Sequence, residues 1–512
     1  MNRFKVLAAA GCLALVAACS GSGSDAPTDA ADDAAVDTSA VLRYAASAGV
    51  TSFDPHKTRS QSDFVLLNLV YDRLVHQDVD GRAVPGLAES WEFSDDMTKL
   101  TFTLREGLTF GDGSPLDAEA VKANIDRARE PDSVSSTQLL AIAEVTAVDE
   151  RTVELTLNEP GVHLVLIFSD LAGMIVNPAA FADAESLATQ PDGLGRFTLT
   201  SQEPGSKYVL AATEDYWDED ALKLAGMEVS VQLDPQTNIN ALGSGQFECI
   251  LVSPAMIEPA KQVPDAQVKA RTVLTQTVFY PNQTKSEFGD PRVRRALNLA
   301  IDREAVLQAA QEGMGEAAKG LFPEDYYVPN EPVADLVTHD PDAARALLAD
   351  AGLADGFEFT ALTLSIPQFV TTAEVIKDQL AEVGVTMNIK ALPPADMGVN
   401  FLRGEGDASI TGWTGRPDPT MLFAAYFDDA SPLNVSKAEP AGFAEALEAA
   451  NAIEDEAERG EALAEVQRIV LEDGGVVPLT FNDVGTACNN SVVGYEPTVV
   501  GISEFRGVGI TK

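Results

Sequence analysis

The residues best suited to chemistry on a small molecule are gathered in one short run, Gly412-Trp413-Thr414-Gly415-Arg416-Pro417-Asp418-Pro419. It follows Asp407-Ala408-Ser409-Ile410, which reads as a short strand. An aromatic ring and a polar turn therefore sit at a strand's C-terminal end, the end where open α/β sheets hold ligands. A guanidinium at Arg416 cannot accept from an ammonium, but its planar fork matches a carboxylate. Trp413 and Asp418 belong with it as candidate contacts. Two plainer roles stay open from the residues alone. Arg416 could pair with Asp418 or another acid nearby, and Trp413 could pack in the core.

The rest of the chain argues for binding rather than catalysis. It has no Gly-x-Ser-x-Gly elbow and no clustered His, Asp and Ser set, so no catalytic residue is expected. His56, His76, His163 and His339 are scattered without metal-ligand spacing, so neither a metal nor a cofactor is expected. A formal charge of −44 over 512 residues excludes nucleic acid as a partner, because phosphate binding needs basic surface. The same charge favours solubility. The length exceeds one ordinary core and calls for two or more lobes.

The elements that must hold such a site are legible in outline. Residues 86–128 place Thr101 and Thr103 in alternation with Phe102 and Leu104, the period of a half-buried strand. Gly111-Asp112-Gly113-Ser114-Pro115 stops that strand, and Asp117 and Glu119 suit the start of a helix. Residues 145–148 and 152–157 flank Asp149-Glu150-Arg151 as a hairpin. Residues 62–75 read as an amphipathic helix, and residues 41–45, 208–212 and 249–252 as strands. Val293, Ala296, Leu297, Ala300 and Ile301 fall at helical spacing. Residues 340–352 and 372–383 continue as helices, with a strand at 386–389. Residues 441–471 read as two helices broken near Asp455, and this alternation indicates α/β architecture.

The wording of these segments is more specific than their pattern. Residues 86–128, together with Asp290-Pro291-Arg292-Val293-Arg294-Arg295-Ala296 and Glu214-Asp215-Tyr216-Trp217, resemble the motifs of the peptide/nickel family of extracytoplasmic solute-binding proteins. The motifs occur in the family's order from about residue 41 to 512. The resemblance implies a two-lobed, periplasmic-binding-protein-like α/β fold (type II, cluster C) with an extra subdomain in the first lobe. Lobe 1 would be residues 41–83, 190–284 and 482–512, the subdomain 84–189 and lobe 2 residues 285–481. It implies a monomer that captures a small solute between hinged lobes and delivers it to ABC permease subunits.

The resemblance also bears on individual residues. In dipeptide-binding relatives the segment resembles Gly-Trp-Thr-Gly-Asp, and its acid grips the peptide's α-amino group; here that position is Arg416. Some relatives reading Gly-Trp-Ser-Gly-Arg-x-Asp-Pro resemble glutathione- or peptide-binding members. A carboxylate-bearing peptide or peptide-like ligand is therefore expected, with a nickel chelate, an opine or an oligosaccharide as alternatives, or a surface sensor instead of a transporter component. Ser52 and Phe53 lie in a loop that borders the cleft in relatives, Asn282 matches a polar position near a crossing strand, and residues 365–372 should face the cleft. Arg196 stands where the family has proline and is expected to face solvent. Cys249 and Cys488 are an even pair for which a disulfide or two buried thiols are both open; the mapping puts them in one lobe and so favours the bridge.

The N-terminal segment indicates where the protein works. Arg3 and Lys5 precede an apolar run to Ala18, a secretory signal over residues 1–18 that is too short to span a membrane. Val16-Ala17-Ala18-Cys19 resembles a lipoprotein processing site, which implies cleavage before Cys19 and a lipid on its thiol; an ordinary cleavage site is the alternative. Residues 19–40 then form a tether with five aspartates and no basic residue, expected to be disordered. Its span is on the order of 25 Å. The expected location is extracytoplasmic, at the membrane surface.

Overall fold

Two long strands rich in β-branched and aromatic residues form the axis of the molecule, Ala266–Pro281 and Val477–Asn489, paired antiparallel. They lie at the centre of an eleven-stranded sheet. On one side of them stand Ala408–Trp413, Glu358–Leu364 and Thr386–Leu392, the last three mutually parallel in that order. On the other side stand Cys249–Val252, Val41–Ala46, Gly226–Val231, Lys207–Ala212 and Phe197–Glu203. The computed structural model describes residues 35–512 apart from Arg59, Leu233 and Ser286. The signal, Cys19 and residues 20–34 of the tether lie outside the described residues. Among the described residues, no helix is long and apolar enough to cross a membrane.

The two halves of the sheet carry separate cores, as a two-lobed fold requires. Tyr44, Phe53, Tyr208 and Met227 are buried in one, and Phe279, Leu297, Ile376 and Leu380 in another. The central strands serve both halves, and their register breaks between Thr272 and Gln276. Such irregularity is where a paired strand bends most readily. A four-stranded antiparallel sheet, in the order Ala88–Phe93, Lys99–Leu104, Thr152–Leu157 and Ile142–Ala147, forms a further unit. Phe102 and Leu104 point into its core with Val121 and Ile125 of helix Ala118–Ala128. That helix starts as the acidic turn predicts: Asp117 caps it by accepting from Ala120 N at 2.9 Å.

Several boundaries differ from the sequence expectation, three of them in ways that bear on the site or the ends of the body. The helix predicted over 62–75 is Phe64–Val70, because Tyr71 turns extended and Val75–Gln77 pairs with Ala83–Pro85. The helix predicted from residue 372 starts at Pro367, whose fixed φ suits a first helical position, so most of the expected 365–372 loop is helical. The ordered body begins before residue 41: Val36 bridges to Thr511, and Asp37 N–H donates to Ile510 O at 2.7 Å. The tether is shorter than its composition suggests, since a backbone ladder needs no apolar side chains.

Candidate functional site: a cleft between facing loops

The loop after strand Ala408–Trp413 is held at both ends. Gly415 lies so close to the central strand that a Cβ there would stand 2.7 Å from Leu274 Cβ, a fit only glycine allows. Its N–H donates to Thr275 Oγ1 at 3.4 Å, beside the register break. At the other end Asp418 caps helix Pro419–Phe427, accepting from Thr420 N at 2.9 Å with proline following. Residues 414–417 are thus fixed on the wall of a cavity of about 580 Å³. The facing walls come from Thr58 and Arg73, from Gln138, from Ser169 and Asp170, and from Ile502 and Glu504. A second cavity of about 300 Å³ shares Val500 and Ile502 with it and reaches Ser47, Ser62 and Thr275. These sizes suit a small solute.

Four charged side chains among the described residues line the larger cavity, and they divide into two kinds. Arg73 and Glu504 satisfy each other at 2.7 Å, with Arg73 also donating to Ser169 O at 3.0 Å. Burial alone would raise the Glu504 carboxyl, but the charges of Arg73, His76 and Arg196 hold it below the usual carboxylate range. Arg416 and Asp170 are different. Arg416 has no ion-pair partner among the described residues, and its Nε is out of water with no hydrogen-bond acceptor. Asp170 is half-buried, with part of its surface on the cavity. Burial pushes its carboxyl up to about 6 from 3.8, against the pull of the Leu171 N–H and of Arg73 and Arg416.

That shift has a sign that can be measured. A carboxyl with a raised folded-state pKa lends stability in its protonated form, complete below the unfolded value and lost as pH rises through about 6. Asp170→Asn cannot ionise. It is expected to gain about 1–2 kcal/mol on the ligand-free wild type between pH 4 and pH 7, allowing for the part of the carboxyl that cavity water screens. Urea unfolding at the two pH values checks this; a constant difference would show the carboxyl to be fully solvated.

Of the predicted ligand contacts, only Arg416 lines the larger cavity. Trp413 is 1% exposed and stacks flat on Tyr426 at 3.7 Å, with Tyr280 and Phe427 edge-on. It is a core residue because its neighbours on helix Pro419–Phe427 fold back over it. Asp418 is fully buried, and its carboxylate is taken by Arg459 at 2.7 and 3.0 Å and by the helix cap. It neither meets the cavity nor pairs with Arg416. Asn282 is buried, and its Oδ1 accepts from Thr284 N and Oγ1, closing a turn. Phe53 packs edge-on against Tyr208 in a core, and Ser52 caps its own loop by accepting from Asp54 N at 3.1 Å. Arg196, expected in solvent, is buried with Nη2 donating to Asn68 O. Burial lowers its pKa.

Asp170, Arg73 and Glu504 had no motif to announce them. Asp170 follows the short helix Leu164–Ile167 in a turn that reads like any polar connection. The available signal was a lone acid between two apolar runs. Cys249 and Cys488 face each other as a register pair and are joined as a disulfide, with Cα atoms 4.1 Å apart.

Known proteins are similar to this chain in sequence and fold. Residues 82–434 match the profile described as bacterial extracellular solute-binding proteins, family 5 Middle. The chain is 25% identical over 507 residues to di/tripeptide-binding protein 1 of Pseudomonas aeruginosa strain UCBPP-PA14, covering 92% of this chain and 94% of that one. It is 28% identical over 467 residues to the glutathione-binding protein GsiB of Salmonella paratyphi A, covering 87% and 90%. The solved structure of HbpA2 from Haemophilus parasuis superposes with a TM-score of 0.79 at 26% identity, over 92% of this chain and all of that one. With the profile matched over more than half of its length, the chain belongs to the bacterial extracellular solute-binding proteins of family 5.

Proposed function

We propose that this protein is the capture component of an ABC importer, taking a carboxylate-bearing peptide or peptide-like solute into the cleft and passing it to the permease. The observation that carries the reading is Arg416, a guanidinium on the cavity wall with no ion-pair partner among the described residues. A solute carboxylate would supply two charge-assisted hydrogen bonds there. The names of the relatives support it, since they bind di- and tripeptides and glutathione. The lobes would be residues 41–83 with 190–284 and 482–512, and residues 285–481, with 84–189 as the subdomain. They would close by bending the central strands, and the solute's contacts to both walls would favour the closed form. A lipid on Cys19 would hold the monomer at the outer face of a membrane.

A thermal-shift screen tests this with acidic peptides, an opine, a nickel–histidine chelate and an oligosaccharide. A solute at 100 times its Kd stabilises by about 2.7 kcal/mol. Acidic peptides are expected to raise the melting temperature of the wild type. Arg416→Ala should weaken them by about 10- to 100-fold, the worth of hydrogen bonds to a charged group. Equal stabilisation of wild type and variant would sink the carboxylate reading.

A further inference from the structure

We infer that His163 and Asn451 are the two sides of a latch outside the cavity, which completes a hydrogen bond when the cleft closes and so sets how long the solute is held. The latch rests on the proposed capture by closing lobes, and it adds residues that act on the solute without touching it. Neither side chain lines either cleft cavity. His163 stands beside Leu164, which lies in the core of the four-stranded unit. Asn451 ends helix Phe443–Asn451 beside Ala450, which lies in the core that holds Trp413 and Leu463. The two cores meet along this seam. Val162 N–H donates to Asn451 O at 3.2 Å, and Met421 of helix Pro419–Phe427 reaches across into the core of the four-stranded unit.

The seam is unfinished at its polar centre. His163 Nδ1 and Asn451 Oδ1 are both out of water, and neither has a hydrogen-bond partner among the described residues. A buried polar atom left unpaired costs its full desolvation, so two of them on facing sides of one seam need a physical reason. The Asn451 amide is near enough to the ring to pull its pKa upward. Burial, with the Arg459 charge, outweighs that pull and the pull of Asp418, and lowers His163 to about 4. The ring is therefore neutral near pH 7, with one proton to place, and Asn451 Oδ1 is the acceptor that a proton on Nδ1 would meet. A small approach of the four-stranded unit to helix Phe443–Asn451 makes the bond, and the backbone bond from Val162 guides it. A contact made only in the closed form favours that form by its whole worth. The effect falls on release, because the solute leaves only after the latch parts.

The test follows release of glutathione and of triglutamate from the full-length protein by stopped-flow chase. His163→Phe and Asn451→Leu should each speed release about 3- to 10-fold, the worth of one hydrogen bond. The double variant should be no faster than either alone, because each removes the same bond. His163→Asn keeps an N–H donor where Nδ1 stands and should restore most of the slow release. Without either probe, the unfolding midpoints of His163→Phe and Asn451→Leu should equal or exceed that of the wild type, because each removes an unpaired buried atom. Unchanged release, with or without lowered midpoints, would overturn the latch while leaving peptide capture intact. Single effects that multiply in the double variant would overturn the pairing of the two residues. Binding of neither probe to the wild type would overturn the peptide reading and the latch with it.

Discussion

Replacing Asp418 with alanine is expected to lower the free energy of unfolding by about 3–5 kcal/mol while leaving solute affinity unchanged. The carboxylate is wholly buried, and Arg459, itself 4% exposed, grips it with two nitrogens at 2.7 and 3.0 Å. Burial alone would raise the Asp418 carboxyl. The Arg459 charge and hydrogen bonds, with His163 and Thr420 assisting, hold it below the usual carboxylate range instead. Removing it strands a guanidinium in the interior and uncaps helix Pro419–Phe427 as well. Asp418→Asn keeps a capping oxygen and should still lose most of the stability. Asp418→Ala with Arg459→Met removes both charges, and it should recover much of the loss, because an apolar replacement of a buried pair is often tolerated. Guanidinium unfolding of the wild type, these variants and Arg459→Met alone checks the cycle. Lost affinity with intact stability would return Asp418 to the ligand site.

The second large effect is expected from Cys249→Ala with Cys488→Ala, a loss of about 2–5 kcal/mol. The bridge joins residues 239 apart in sequence, so it shortens a very long loop in the unfolded chain. Strand Cys249–Val252 meets Val477–Asn489 through only four register pairs, and one of these is the bridge. Both cysteines are buried, at 0% and 3% exposure, and neither lines either cleft cavity. The denaturation midpoint should fall with little change in slope, and solute affinity should hold. Coincident unfolding curves would show that the strand pairing is sufficient alone.

The pattern of the fold was legible because much of it is local. Val293, Ala296, Leu297, Ala300 and Ile301 are all buried, as their helical spacing requires. The hairpin expected from 145–148 and 152–157, which forms between Ile142–Ala147 and Thr152–Leu157, and the break near Asp455 between helices Phe443–Asn451 and Glu456–Asp473 also follow from short-range signals. The site was legible only at Arg416. Trp413 and Asp418 lie in the same short run, yet their roles are decided by Tyr426 and Arg459, and Arg459 stands 41 residues away in sequence. Asp170 becomes meaningful only when a turn of the subdomain meets a loop some 250 residues later, and no periodicity carries that information.

The order of strands in the central sheet also imposes an order in time. Val477–Asn489 lies between Ala266–Pro281 and Cys249–Val252, so the sheet has no middle until this late strand is made. The isolated bridge between Val36 and Thr511 joins opposite ends of the described residues. Contacts so distant in sequence form slowly. The strands of both halves therefore wait at their shared edge for Val477–Asn489, the element on which the joining of the two halves depends.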